Sequence, residues 1–562
     1  MKKIILFVAG LLSLSAANAQ TWNWAASIGG KSSDGVAAIE KDAAGNIYVL
    51  GDFEGNKIIG TSVYSAQGLS DCFLTKYSST GTPQWTVQIN GSSPTNIMEA
   101  GSVAVDSIGN IYVGGNFSSE VVLGGTPFFS NFTGDGFVAK YSSSGSFVWA
   151  AHLSGTGNEK ITTLKCLGTD VYVGGNISQA ATIGTFTFPA PSTVADDAII
   201  FKLDSSGNVV WGLNAGGNGQ DQTMALSVSN TAIYWAGFFS GTANFLGTSL
   251  IAPGTGTDMY VIRLNDSGQM QWAKRIGGVV SEQINGVTQD NSGNPICTGI
   301  FYGDVTFETG IILREAHGPQ TNAGNGDAFV CKLSQTNGSC QWARHIRCIN
   351  GDNNEFGSAI INDPGGSSYV TGAFNGTTRF SSSGTTTQTG TDITSAGGKD
   401  AFIAKYDGNG NLLWVTKAGG AGNDIGKSIL WEPNGICVVG GYFTNTLTIG
   451  SSTLNAAAGL PTIFLAKYDG LTADMNETVS SFPFDVFPNP ARDYLFVQTS
   501  PEHPVEKAAI YSIEGMLIRE FEIDRNPVSA KIRFDLGPLT PGFYLLNLQS
   551  GKDKSSRKIT VY

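Results

Sequence analysis

One pattern recurs seven times along this chain, and nothing else in the sequence limits the possible folds as strongly. A Lys or Arg stands nine residues before a Trp at Lys76/Trp85, Lys140/Trp149, Lys202/Trp211, Arg263/Trp272 and Lys405/Trp414, and ten before it at Lys332/Trp342. Five residues ahead of each base lies an Asp: Asp71, Asp135, Asp197, Asp258, Asp327 and Asp400. A seventh copy ends at Lys467, with Thr462 in the Asp place. A fixed period of this kind belongs to architectures built by repeating one supersecondary unit.

A second motif, Gly-Asn-Ile-Tyr-Val, begins at Gly45 and Gly109, with weaker copies such as Asp170-Val171-Tyr172-Val173. Each copy is followed by an aligned glycine: Gly51, Gly115, Gly175, Gly237, Gly299, Gly372 and Gly441. Runs of β-branched and aromatic residues bounded by Gly and Asn read as strands. A glycine inside such a run marks a bulge or the close approach of another backbone. The repeat Trp residues lie 61 to 72 positions apart. That period holds four main strands, with a short hairpin ahead of the Asp. Four antiparallel strands per repeat describe a propeller blade; a solenoid is the competing architecture.

The ends decide between them. After Lys467 the Trp position falls on Asn476, so the seventh repeat lacks its Trp strand. A spare Trp strand, Trp22-Asn23-Trp24-Ala25, stands at the other end. The N-terminal strand is expected to complete the last blade and close the ring, which removes open sheet edges. The expected fold class is all-β: a seven-bladed β-propeller closed by the N-terminal strand, followed by a small C-terminal β-sandwich. The repeat Trp residues read as packing between blades. Over about residues 21–469 the two motifs resemble the SBBP family, the seven-bladed β-propeller repeat of bacterial surface and secreted proteins. That family has no common catalytic residues, so the resemblance implies a fold and leaves activity open.

The two ends also carry addresses. Lys2 and Lys3 precede an apolar run, Ile4 to Leu12, and Ala17-Asn18-Ala19 is a small-x-small site, so cleavage is expected between Ala19 and Gln20. The run is shorter than the ~20 residues a membrane helix needs, and no later stretch reaches that length. No transmembrane segment is expected in the mature chain. Beyond a polar linker, Phe487-Pro488-Asn489-Pro490, Ile513-Glu514-Gly515, Leu539-Thr540-Pro541-Gly542-Phe543-Tyr544 and Arg557-Lys558 punctuate a set of short strands. This pattern resembles the type A C-terminal sorting domain of the type IX secretion system. It makes Pro488, Asn489, Pro490, Gly515, Gly542 and Tyr544 the sorting motif, the type IX machinery a partner, and the cell surface or medium the destination. The expected division is a signal peptide 1–19, a propeller 20–469, a linker 470–482 and a sorting domain 483–562.

Charge narrows the partners. Residues 4–482 hold 21 Lys/Arg against 35 Asp/Glu, a net of −14. An acidic body disfavours nucleic acid and anionic membranes and is compatible with cations or neutral glycans. Among the seven cysteines, Cys331 and Cys340 flank a short turn and are the first pair to test for a disulfide.

Chemistry is sparse. The four His (152, 317, 345 and 503) lie in no ligand spacing. Gly30-Lys31-Ser32 and Gly426-Lys427-Ser428 imitate a phosphate loop but lack its first glycine. One constellation remains: Asp34, Glu159, Asp221, Glu282 and Asp424 each follow a Trp by ten residues, and Glu99 and Glu355 take the comparable place in longer loops. Seven carboxylates would then ring one mouth of the channel. They could bind calcium or a polar ligand, or could cap loop amides and pair with the repeat bases; repetition in every blade favours the structural role. No catalytic set emerges. The leading expectation is a non-enzymatic surface or secreted protein that binds an extracellular glycan or protein. A polysaccharide-acting enzyme with its site at the channel, and a structural surface-layer component, are the alternatives.

Overall fold

The computed structural model describes residues 21–30, 34–131, 134–191, 195–314, 326–350, 354–382, 389–456, 460–469, 482, 484–500, 503–512, 517–521, 523, 531–537, 539, 542–551 and 553–561. Ala19, Gln20 and Gly515 lie outside the described residues, as do the leader and most of the linker. The fold is all-β. Antiparallel sheets account for it, with one short 3-10 turn at Pro433–Gly435 and no α-helix among the described residues. The chain divides into two compact bodies, Thr21–Gly470 and Leu471–Tyr562.

In the larger body each repeat supplies a four-stranded antiparallel meander. These span 34–89, 98–155, 160–217, 221–276, 282–350 and 356–418. The seventh meander takes three strands from 424–469, and its fourth is Thr21–Gly30, which pairs antiparallel with Thr462–Asp469. In this pairing Trp24 stands opposite Lys467, as Trp85 stands opposite Lys76 and Trp149 opposite Lys140. The first strand of each repeat lies beside the first strand of the next, and Asp34–Lys41 lies beside Asp424–Glu432.

Local sequence explains the strand order. The second and third strands, such as Ile111–Phe117 and Asp135–Tyr141, are buried along their whole length. Their centres are apolar because neighbouring repeats cover both their faces. Fourth strands such as Phe147–Gly155 are partly exposed and carry more polar residues. The aligned glycines sit opposite a bulge in the first strand. A Cβ on Gly237 would stand 1.9 Å from the Gln222 carbonyl oxygen, so only glycine lets the two backbones approach.

The repeat Trp joins each sheet to the next. Trp24, Trp85, Trp149, Trp211, Trp272 and Trp342 lie on Gly81, Gly145, Gly207, Gly268, Gly338 and Gly410 of the following repeat. A Cβ on any of these glycines would meet the indole at 3.1 Å or less, and their φ values of 72° to 88° already favour glycine. The indole N–H of Trp149, Trp211, Trp272 and Trp342 donates to a carbonyl of the same turn, for example Ser205 O at 3.1 Å. The repeat base reaches that turn as well: Lys140 Nζ is 3.0 Å from Ser205 O, and Lys467 Nζ is 3.4 Å from Ser79 O. On four of these bases the stem crosses a tyrosine of its own sheet, as where Lys140 Nζ stands 5.0 Å from the Tyr112 ring centre.

The smaller body packs the sheet Phe484–Phe487, Tyr494–Thr499, Lys531–Asp535 against Leu517–Phe521, Lys507–Ser512, Gly542–Ser550, Asp553–Val561. Leu495, Val497, Ile510, Phe534, Leu546 and Ile559 form its core. Tyr544 is buried in that core, Gly542 opens its strand, and Pro488, Asn489 and Pro490 are exposed, with Asn489 Oδ1 accepting Thr560 N at 2.8 Å.

The Trp24 contact makes the N-terminal strand a determinant of stability. Replacing Trp24 with Ala is predicted to cost about 2–4 kcal/mol, the range of large-to-small changes at an indole only partly enclosed. Deleting residues 21–30 leaves an open edge on Thr462–Asp469 and should give aggregation. Chemical denaturation and light scattering test the two outcomes.

Candidate functional site

Six of the seven predicted carboxylates are buried: Asp34 is 3 % exposed and Glu159, Asp221, Glu282, Glu355 and Asp424 are 0 %. Four of them stand opposite a phenylalanine of the second strand: Asp34 and Phe53, Asp221 and Phe239, Glu282 and Phe301, Asp424 and Phe443. In the second repeat Met98 holds this register, opposite Phe117. Glu99 is the next residue and is exposed; it faces Lys160 of the neighbouring first strand at 3.5 Å. A longer loop moved the acid by one position, and on a strand one position exchanges the faces.

Each buried acid lies at a junction between repeats. In four of them the backbone N–H donates to the residue just before the Asp of the preceding repeat: Glu159 to Gly134 O, Asp221 to Asp196 O, Glu355 to Gly326 O and Asp424 to Lys399 O, at 2.7–3.0 Å. Asp34 N makes the same bond to Pro461 O at 3.3 Å. This brings together two acids that are far apart in sequence: Glu159 with Asp135, Asp221 with Asp197, Glu282 with Asp258, Glu355 with Asp327 and Asp424 with Asp400. The repeat Asp residues are themselves 0–5 % exposed.

Two buried carboxylates cannot both ionise side by side. Burial first, and the second carboxylate after it, push Glu159, Asp221 and Glu355 up to about 8 and Asp424 to about 7. Burial raises Glu282 likewise, with Asp258 adding to it. Near neutral pH each of these five pairs therefore holds a proton. Loop amides bond the ring acid: Gly217 N donates to Asp221 Oδ2 at 2.7 Å, Gly278 N to Glu282 Oε2 at 3.1 Å and Gly420 N to Asp424 Oδ2 at 2.7 Å.

The repeat Asp takes a second partner three residues after the Trp. Gln88 donates to Asp71 at 2.7 Å, Lys417 to Asp400 at 3.1 Å, and Arg275 pairs with Asp258. His152 lies 2.6 Å from Asp135 and His345 2.7 Å from Asp327. Sequence reading missed this set because the residue type changes at every repeat. The missed signal was positional: a polar residue three after each Trp, and a glycine five after four of them, at Gly29, Gly216, Gly277 and Gly419. A Cβ on Gly216, Gly277 or Gly419 would stand 2.0–2.4 Å from the carboxyl of Asp197, Asp258 or Asp400.

Two junctions break the rule. At the last, Thr462 takes the Asp place and Asp34 meets Lys57 Nζ at 3.3 Å, both side chains fully buried. Lys57 lies 4.4 Å over the Phe73 ring, and burial lowers it to about 8 against the pull of Asp34. At the first, Met98 replaces the acid. Among the described residues no three His, Cys, Asp or Glu side chains converge as a metal cage. The lookalike Gly426-Lys427-Ser428 lies inside the strand Asp424–Glu432. Cys331 and Cys340 are not register partners: Cys340 faces Leu333.

Residues that do not repeat stand on or beside the first strands. Lys399 Nζ is 5.1 Å over the Phe356 ring, Lys427 Nζ 5.9 Å over Tyr442, and Lys41 Nζ 5.6 Å over Trp431. Phe356 and Trp431 are half-buried, and Lys427 is exposed.

Comparison with known proteins separates the two bodies. Residues 485–562 match the secretion system C-terminal sorting domain. The chain ends in a sorting domain. That domain implies export by the type IX secretion system and contact with its machinery, and the protein is secreted or attached to the outer cell surface. Beyond it, a WD repeat-containing protein of Acanthamoeba polyphaga mimivirus, itself uncharacterized, is 24 % identical over 82 % of this chain, which spans 38 % of that relative's length. Solved structures with slight likeness include a Dyadobacter fermentans protein of unknown function (9 % identity, TM-score 0.35, covering 80 % of this chain and 98 % of that one). Another is a putative 6-phosphogluconolactonase of Bacteroides uniformis (11 %, TM-score 0.37, 75 % and 99 %). A NanB sialidase mutant of Streptococcus pneumoniae is a third (8 %, TM-score 0.33, 80 % and 70 %). Likenesses this slight assign no activity.

The carboxyl pairs set a pH dependence. An unfolded Asp or Glu loses its proton near pH 4, whereas the buried acids keep theirs to about 7–8. The folded chain thus binds more protons between these limits, and stability falls as pH rises through them, by at most about 1.4 kcal/mol per pH unit for each group. The melting temperature should drop from about pH 5 to about pH 9. Asp221→Asn and Glu159→Gln, which keep a neutral donor, should flatten the slope.

Proposed function

We propose that Thr21–Gly470 is a seven-bladed propeller of SBBP type, closed by its N-terminal strand, and that it acts outside the cell as a non-enzymatic binding module for a glycan or protein. In this reading residues 1–19 are the signal peptide, with cleavage between Ala19 and Gln20, and 470–482 link the propeller to the sorting domain at 483–562. Closure is supported by three contacts that repeat at the seam between last and first repeats: Trp24 on Gly81, Lys467 to Ser79 O, and Asp34 N to Pro461 O.

The observation that carries the binding role is a division among side chains. The residues that repeat are enclosed at junctions, where no substrate reaches them. Those that vary, Glu99, Lys160, Phe356, Lys427 and Trp431, stand on the first strands and keep partial exposure. Aromatic faces beside charged groups suit a sugar ring or a polar peptide. The raised acids would suit proton transfer, but full burial withholds them from a polysaccharide, which disfavours the enzyme reading. The ring Asp34, Glu159, Asp221, Glu282, Glu355 and Asp424 is then structural; added calcium should leave the melting temperature unchanged, and a rise would make the ring a cation site instead.

Two experiments follow. Residues 21–470 are screened on a glycan array and against surface proteins; Phe356→Ala and Glu99→Gln, at the same end of the first strands, should weaken the ligand found by ~10-fold or more, about 1.4 kcal/mol, with the melting temperature retained. Binding unaffected by both changes would overturn the assignment of this face. Deleting 483–562 should trap the chain inside the outer membrane, which cell fractionation detects.

A further inference from the structure

Three cysteines of the fifth repeat, Cys297, Cys331 and Cys340, belong to one buried apolar cluster on three adjacent strands. Cys297 and Cys331 face each other directly: they are register partners across Pro295–Phe301 and Asp327–Leu333. Antiparallel partners stand about 4.5–5.5 Å apart at Cα, within the roughly 4.4–6.8 Å that a disulfide spans, and their side chains leave the same face. The Cys331 thiol interacts with that of Cys297, and both residues are 0 % exposed. No other cysteine has a cysteine as register partner: Cys72 faces Asp52 and Ile89, Cys166 faces Val171, Cys348 faces Thr378, and Cys437 faces Trp431 and Tyr468. Cys340 faces Leu333, and its sulfur points to Trp342 O at 3.3 Å. The sorting domain sends this chain out of the cytoplasm, to compartments where disulfides persist.

We propose that Cys297 and Cys331 are a disulfide site, oxidised as the exported chain folds, and that Cys340 stays a thiol. The oxidant is a protein disulfide of the periplasm. A thiolate of one cysteine attacks a sulfur of that disulfide, and the second cysteine resolves the mixed disulfide. Two S–H bonds are lost and one S–S bond forms; two electrons and two protons pass to the oxidant, which leaves as a dithiol. The timing follows from burial. Once the repeats have packed, neither sulfur is reachable, and burial holds the Cys331 thiol far above its ordinary pKa, so the folded chain offers no thiolate. The bond then closes a loop within one blade and ties its two fully buried strands together.

The test uses the full chain recovered after export. It is denatured without reductant, alkylated and digested. Five of the seven cysteines should be alkylated, and one linked peptide pair should join Cys297 to Cys331. Cys340→Ser should leave that link intact, and Cys331→Ser should make Cys297 alkylatable. Alkylation of all seven, or a link from Cys331 to Cys340, overturns the proposal. A second readout guards against variants that misfold: reductant present during unfolding should lower the melting temperature of the natural chain. It should have no effect on the Cys297→Ala/Cys331→Ala double variant. Equal sensitivity of the two chains to reductant would also overturn it.

Discussion

Where Trp149 lies on Gly207, the glycine has a φ of 88° and no Cβ, and the indole occupies the space a side chain would need. The turn cannot carry another residue without strain, and the sheet that supplies the Trp cannot bury it anywhere else. Each repeat is thus incomplete alone: its fourth strand carries near its start an aromatic that needs the next repeat's turn. Repetition of that contact sets the order in which sheets stack, and the base opposite the Trp donates across the same junction while lying over a tyrosine of its own sheet. Lys202, for instance, reaches Asp266 at 2.8 Å and Asp170 at 3.0 Å. Stability of such an array is spread over nearest-neighbour interfaces, so loss of one should loosen its two neighbours first.

Behind the Trp contact lies an electrostatic constraint. Close packing of repeats puts the acid that caps one loop against the acid that opens the strand of the repeat before. Left ionised, the pair would repel in a medium with little water. The molecule neutralises this in three ways. Five junctions keep a proton. The junction between the last and first repeats replaces the Asp by Thr462 and adds Lys57, and the first junction replaces the ring acid by Met98. A residue foreign to the pattern, Lys57, is therefore the counterpart of another, Thr462, hundreds of positions away. Each is intelligible only through the other.

Sequence reading reached the repeat count, the strand order within each repeat and the spare N-terminal strand, because all of these are written in periods and in the ends of periods. Trp and the aligned glycines are legible since their roles demand one residue type. The carboxylates were found for the same reason, but their surroundings were not. Spacing places an acid before a strand; only packing says that Asp135 meets Glu159. Glu99 shows the limit sharply. Its loop is longer, and counting from the Trp cannot distinguish it from Met98, one position earlier, although one of these is exposed and the other enclosed. The partners three residues after each Trp escaped notice for the opposite reason: Gln, His, Asn, Arg and Lys all satisfy an Asp, so geometry holds the position while chemistry varies. The cysteine pairing belongs here too. A short turn between Cys331 and Cys340 suggests proximity, but strand register decides which sulfur is opposite which, and it selects Cys297.

The same logic bears on function. Positions that build junctions are constrained by two repeats at once, so they recur and can serve little else. Positions on the exposed side of the first strands answer to neither neighbour, and there the repeats diverge: Gly35, Glu99, Lys160, Gln222, Gln283 and Phe356 occupy one equivalent place. These six positions hold no side chain, a carboxylate, an ammonium, two amides and a ring, and the seventh, Ile425, is buried, so the surface is asymmetric. It can present a cation, an anion, an amide and an aromatic ring at fixed spacing on a rigid frame, which is what recognition of a polar ligand requires. The frame is kept constant by buried carboxyls and half-buried indoles at the junctions, so substitutions on the exposed side of the first strands can change the chemistry presented there without disturbing how the sheets hold together.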